Sequence, residues 1–195
     1  MVANLRLLSD SRIPEEHLEY LRTSVGDLLT RASNLNGLTL GDSDGSLNIP
    51  RIIGGVRPSF HLVELVFHFR ITRELWDFIF SQPTIQRLVL NCCLAHSSVT
   101  YRRSNIPSHI PTDALPRLEA LSAPVELLMI LLPGRPVRYV AVQPSIFSPF
   151  TSISLWEAVQ ESSAALIALS IDVGSAPPSG HYFENFPIEH LIYAS

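Results

Sequence analysis

An apolar residue followed three and five positions later by two others recurs seven times in this chain. The copies are Leu35/Leu38/Leu40, Leu62/Leu65/Phe67, Ile85/Leu88/Leu90, Leu118/Leu121/Ala123, Val137/Val140/Val142, Leu166/Leu169/Ile171 and Ile188/Leu191/Tyr193. Their central members stand 19 to 33 residues apart. Spacing of this kind is hard to reconcile with most folds, because a structure must bring the same short apolar strand back at a near-constant interval. In a chain that is 46% hydrophobic such triplets also arise by chance. The segments between them therefore carry equal weight.

Most of those segments read as helices. Residues 14–32 place Leu18, Leu21, Val25, Leu28, Leu29 and Ala32 at helical spacing. Pro14, Glu15 and Glu16 suit a first turn, by fixed φ and by the helix dipole. Thr72 is a candidate cap for a helix with Leu75, Phe78 and Ile79 inward, ending before Pro83. Pro124 opens a helix over Val125–Leu132 that Pro133-Gly134 ends. Ser154-Leu155-Trp156-Glu157 matches a capping box, with Val159 on the face of Leu155. Between the first two triplets, Ser46 to Gly55 reads as loop.

Strand and helix alternating at 20–29 residues, with L-x-x-L-x-L at the strand, is the leucine-rich-repeat pattern. The predicted fold is an α/β leucine-rich-repeat solenoid of about seven irregular strand–helix units, its parallel sheet on the concave face. It fills residues 1–195 as a single domain, with residues 1–33 as an N-terminal helix region. Each unit has an apolar face too small to bury alone, so units stack and share a core. A doubly wound α/β domain is the rival; it lacks support because the strands are short and no Gly-rich strand-to-helix turn is present. Two stretches depart from the pattern as irregular insertions, residues 96–114 and 173–187.

Composition removes several chemistries. All 14 cationic side chains are arginine, with no lysine anywhere. A Walker-type phosphate loop, a kinase-type lysine and Schiff-base catalysis are thereby excluded. No side chain is left for ubiquitin attachment. A net charge of −4 offers no footprint for nucleic acid. The apolar runs are too short to span a membrane, and the start of the chain lacks the features of a secretory signal. The two cysteines, Cys92 and Cys93, are adjacent, which suits neither a structural disulfide nor a zinc site. The expectation is an intracellular protein, cytoplasmic or nuclear, with no cofactor and no metal.

Gly41-Asp42-Ser43-Asp44-Gly45 fits the G-x-S-x-G pattern of a hydrolase nucleophile turn, and Asp172 and His181 follow in the order of a triad. A serine esterase of GDSL or α/β-hydrolase type is thus the alternative reading. Against it, the helix that should follow the serine is missing from the pattern, and no D-x-x-H closes the chain. In the repeat register Ser43 takes the strand-to-turn position, with Asp42 and Asp44 as turn formers.

Strand alternation points to another surface. Residues between the buried positions face outward along the sheet. The central row is Val66, Val89, Ser122, Ala141, Ser170 and Ile192. One flank carries Glu64, Arg87, Tyr139 and His190; the other carries His68, Asn91, Gln143 and Asp172. A small or apolar centre with polar margins suits a protein or peptide partner. Tyr101, Arg102 and Arg103, in the first insertion, are loop candidates for the same role.

The segments RASNLNGLTL, WDFIFSQPTIQRLVLNC and LPRLEALSAPVELLMILLPGRPVRYVAV resemble the leucine-rich-repeat region of fungal F-box-like proteins, of the type found in mushroom-forming basidiomycetes. The resemblance runs over roughly residues 18–142 and the last strand, and is most specific from Leu118 to Pro136. It implies a target-recruiting repeat scaffold, which in that family follows an F-box helix bundle that docks a ubiquitin ligase. The residues before the first repeat, 1–33, do not read as an F-box, so the expectation is a repeat scaffold without one. Cys93 falls at the inward Asn/Cys position of the repeat, whereas Ser43, Arg70, Glu126, Ser145 and Gly174 do not conform.

The expected function is a non-catalytic protein-interaction module, part of an F-box-like ubiquitin-ligase component. A truncated fragment without activity is a further alternative, since the chain stops on a strand with no polar cap. Such an end would favour self-association.

Overall fold

The computed structural model describes residues 3–9, 14–42, 47–68, 71–91, 107, 110–111, 113–143, 152–172 and 190–194. Over these, eight strands form one all-parallel sheet, laid side by side in sequence order. They are β1 (Ala3–Ser9), β2 (Leu35–Asp42), β3 (Glu64–His68), β4 (Arg87–Leu90), β5 (Ala120–Pro124), β6 (Tyr139–Gln143), β7 (Ala168–Asp172) and β8 (His190–Ala194). A doubly wound sheet reverses its strand order at a switch point; this one never does.

Parallel neighbours need a crossover rather than a hairpin. Five crossovers contain a helix: α1 (Glu15–Arg31), α2 (Ile49–Gly54), α3 (Arg73–Phe80), α4 (Val125–Leu131) and α5 (Ser152–Gln160). Among the described residues the β4–β5 and β7–β8 connections hold none. Helix α1 packs on α2, α2 on α3, and α4 on α5.

The register explains the recurring triplet. Leu5, Leu38, Leu65, Leu88, Leu121, Val140, Leu169 and Leu191 are aligned partners across all eight strands. From Leu38 to Leu169 each is buried, as are Leu40, Phe67, Leu90, Ala123, Val142 and Ile171 two residues on. The triplet's first residue packs where the chain enters the strand: Leu35, Leu62, Ile85, Leu118 and Val137 are buried there. Helix residues Leu29, Ile53, Leu75, Ile79, Leu128 and Leu155 complete a continuous core. Full burial of one such side chain is worth about 1.5–3 kcal/mol.

Neighbouring units are also pinned by polar contacts where helix returns to strand. Ser59 Oγ donates to Ala32 O at 3.0 Å. Both peptide groups of Leu62 find side chains of the next unit: its N–H donates to Gln82 Oε1 at 3.0 Å, and its carbonyl accepts from Thr84 Oγ1 at 2.8 Å. The next such contact comes from Arg135, only 1% exposed. Its Nε donates to Ala114 O, Nη1 to Leu131 O and Pro133 O, and Nη2 to Pro111 O, at 2.7–3.2 Å. Ser162 Oγ then donates to the carbonyl of Arg135 at 2.8 Å.

The structure differs from the sequence reading in several places. Residues 3–9, assigned above to a helical N-terminal region, form strand β1, so the sheet has eight strands rather than seven. Leu5 and Leu7 sit three and five positions after Val2, an eighth copy of the triplet that was passed over. Ser46 to Gly55 is not all loop. Helix α2 starts at Ile49, with Pro50 in its first turn and Ile49, Ile52 and Ile53 buried; Asn48 enters it with φ 50°, a conformation asparagine tolerates. Helix α5 begins at Ser152, upstream of the expected cap, so Ser154 lies inside it. Thr72 does occupy the N-cap of α3, but its side chain makes no capping hydrogen bond. Most of insertion 96–114 and all of 173–187 lie outside the described residues.

Candidate functional site

With the apolar row turned inward, the intervening residues share the opposite face. Thr39, Val66, Val89, Ser122, Ala141, Ser170 and Ile192 are consecutive register partners, forming the central row. The flanking row runs Asn4, Gly37, Glu64, Arg87, Ala120, Tyr139, Ala168 and His190. On the other flank, Leu8 pairs with Gly41 and Gly41 with His68, while Pro124 pairs with Gln143.

This face has two halves. At the β1–β2 end it is closed over, because β2 carries glycine where a side chain would stand. A Cβ on Gly41 would lie 2.7 Å from Leu8 Cδ2, and one on Gly37 would collide with the Asn4 amide. Leu8 and Asn4 therefore fold flat across the sheet. Over β4–β7 small side chains instead leave a trough of about 510 Å³. Ala120, Ser122, Ala141, Ala168 and Ser170 line it, with Arg87, Asn91 and Tyr139 rising at its margins. Tyr139 is 47% exposed.

The margins are held by polar contacts. Arg87 Nη1 meets Glu64 Oε1 at 3.1 Å, with 61% of the arginine side chain exposed. On the opposite flank Asn91 Nδ2 lies 3.1 Å from His68 Nδ1, so with the amide placed this way His68 accepts there and carries its proton on Nε2. Gln143 Nε2 donates to Asn91 Oδ1, and to Ser122 Oγ at 2.9 Å. Four residues on β3, β5 and β6 and just beyond β4 thus form one connected polar ladder.

Of the residues named from sequence, Arg87, Val89, Asn91, Ser122, Tyr139, Ala141 and Ser170 line the trough together. Glu64, His68 and Gln143 support its margins, and Val66 continues the central row toward the closed end. Asp172 ends β7; its side chain, like those of His190 and Ile192, lies outside the described residues. Tyr101, Arg102 and Arg103 lie outside them as well. Sequence reasoning missed Ala120 and Ala168. Their signal was available as small residues two positions before Ser122 and Ser170, on the same face.

Of the hydrolase pattern, Asp172 alone belongs to the described residues. Ser43 and His181 lie outside the described residues, but Ser43 directly follows the end of β2 and Asp172 ends β7. Four strands lie between β2 and β7, so at ~4.8 Å per strand the ends of β2 at Asp42 and β7 at Asp172 stand roughly 24 Å apart.

Among the described residues no group of histidine, cysteine, aspartate and glutamate could hold a metal ion. No described helix is long and apolar enough to cross a membrane. A second groove of about 290 Å³, between α1 and α2, carries charges of both signs in Glu19, Arg22, Asp27 and Arg51. Arg22 and Glu19 pair there at 2.5 Å. Strand β8 pairs with β7 and with no other described strand.

Comparison with family models, with curated proteins and with solved structures finds no match to this chain.

Proposed function

We propose that this chain is a leucine-rich-repeat solenoid acting as a non-catalytic protein-interaction module, with the outward face of its sheet as the binding surface. The observation that carries the reading is the trough over β4–β7. A face needed only to close a core has no reason to be hollow, polar at both margins and internally braced by the Arg87–Glu64 pair and the His68–Asn91–Gln143–Ser122 ladder. Bracing of that kind lowers the entropy a surface loses on binding. The strictly sequential parallel order and the aligned leucine row support the repeat reading.

Within it, the likeness to F-box-like repeats suggests recruitment of targets to a ubiquitin ligase. The lack of lysine suits that setting, since the chain offers no side-chain amine to take ubiquitin while held beside the transfer reaction.

The test is site-specific photo-crosslinking. A benzophenone side chain replacing Ala141 should yield discrete protein adducts in cells, whereas the same group replacing Met129, exposed on α4, should not. Equal labelling from both positions, or none from 141, would remove the outward face as the functional surface. Labelling by a fluorophosphonate that is lost in Ser43→Ala would instead revive the esterase reading.

A further inference from the structure

We infer that the trough recognises an aromatic side chain flanked by carboxylates on an extended segment of a partner protein, with the ring lying over Ala120 between Arg87 and Tyr139. This rests on the outward face being the interaction surface.

The slot follows from register. Arg87, Ala120 and Tyr139 are successive partners on β4, β5 and β6. At ~4.8 Å per strand the backbones bearing Arg87 and Tyr139 are about 9.6 Å apart. Between them stands only the methyl group of Ala120. A planar ring needs about 3.5 Å of clearance on each face to stack, so the gap admits one ring and no more. The Arg87 guanidinium is drawn toward Glu64, on the side away from Ala120, which leaves the slot open. One wall is then the arginine side chain, its apolar stem facing the ring and its cation beyond, and the other is a phenol, and both attract an aromatic face.

Charge sets the rest. Arg87 is the one ionised side chain among the described residues lining the trough, in a chain of net charge −4. Glu64 engages only its Nη1, and a guanidinium has five N–H donors in a fixed fork. A partner carboxylate beside the ring completes that fork. Ser122 and Asn91, anchored in the ladder, face the segment's amides from the opposite side of the floor. A nucleic acid would offer bases for the slot, but the single cation described in the trough, with Arg6 five strands from the slot's far wall, cannot hold a run of phosphates.

The probe is a phage-displayed library of random dodecapeptides, selected on the full chain and counter-selected on Ala141→Trp, which fills the floor. Ser170→Trp serves as a second filled variant, and circular dichroism and melting show that each is folded. The expected result is enrichment of peptides with Trp, Tyr or Phe next to Asp or Glu. These should bind Arg87→Glu roughly tenfold or more weakly, and selection on Arg87→Glu should favour Lys and Arg instead. Peptides that enrich and are lost on both filled variants, yet carry no aromatic–acidic bias, would overturn this ligand chemistry while leaving the surface assignment intact. No enrichment over the filled variants would overturn both. Displacement of the peptides by single-stranded DNA at physiological salt would assign the slot to a nucleobase and overturn the peptide proposal.

Discussion

Between β3 and β4 the chain crosses back through α3, and a neutral side chain, Gln82, satisfies a peptide N–H where it returns to the sheet. Between β4 and β5 no helix is found among the described residues, and a buried arginine occupies the corresponding place. A helix consumes its own peptide groups, so the α3 connection leaves few to be partnered. The described residues of 110–119 bond among themselves only in part, Ala114 N–H to Pro111 O and Leu118 N–H to Leu115 O, while Ile110, Leu115 and Leu118 are drawn into the core. Buried carbonyls without partners are costly. Arg135 supplies donors from the end of α4, pairing with two carbonyls of that connection and two of its own helix end. Burial pushes its guanidinium below its ordinary pKa, an effect Asp113 opposes in part; the group stays charged at any physiological pH. The comparison teaches that a neutral amide serves where one peptide N–H needs an acceptor, and a multivalent guanidinium where several carbonyls converge.

Arg135→Leu breaks this comparison most sharply. It leaves the carbonyls of Pro111, Ala114, Leu131 and Pro133 without the donor they share, and should cost about 3–5 kcal/mol. In a chain of this size that lowers the melting temperature by about 10 °C. Arg135→Lys should recover less than half, because an ammonium is a point donor and cannot span the fork. Thermal denaturation followed by circular dichroism reads both. A loss for Arg135→Leu no larger than that of an exposed arginine such as Arg138 would mean that the connection does not depend on it.

Gln82→Leu removes the neutral counterpart. The buried N–H of Leu62 loses its acceptor, at about 1–3 kcal/mol. The two sites lie on different connections and share no partner, so the double variant should sum to within about 0.5 kcal/mol. Chemical denaturation of the two singles and the double checks this. A larger discrepancy would mean that the units do not behave as neighbours coupled only in series.

These positions also show what could be read from sequence. The inward leucines were legible because a strand's alternation and a constant inter-strand register leave little freedom: Leu38 through Leu169 align as their spacing implied. The outward row follows from the same alternation, so most of the trough's lining was nameable in advance. What was not legible depends on contacts distant in the chain. Arg135 in Pro-Gly-Arg-Pro reads as a turn residue holding a helix end, and it does hold Leu131 and Pro133, but nothing local shows that it also reaches back to Pro111. Gln82 before Pro83 reads as a helix end. Strand β1 and helix α2 were hidden differently: their signals, Val2/Leu5/Leu7 and Ile49/Ile52/Ile53, were present but outweighed by the polar, proline and glycine residues around them. The hollow over β4–β7 depends on which small residues end up side by side across strands, a property of pairing rather than of any one segment.

Thr84→Val is the mildest change and sharpens the comparison at the level of a single peptide group. Thr84 Oγ1 donates to Leu62 O at 2.8 Å, while Gln82 accepts from the N–H of the same residue at 3.0 Å. A carbonyl has two lone pairs and tolerates under-satisfaction better than an N–H tolerates losing its only acceptor. The valine is isosteric, so packing is preserved and only the hydrogen bond is lost. Thr84→Val should therefore cost about 0.5–1.5 kcal/mol, less than Gln82→Leu. Amide hydrogen exchange makes the distinction directly: protection of the Leu62 N–H should fall strongly in Gln82→Leu and only slightly in Thr84→Val. If the order of costs is reversed, the pinning between β3 and β4 comes from side-chain packing at Thr84 rather than from satisfied peptide groups. The parallel with Arg135 would then hold for position alone.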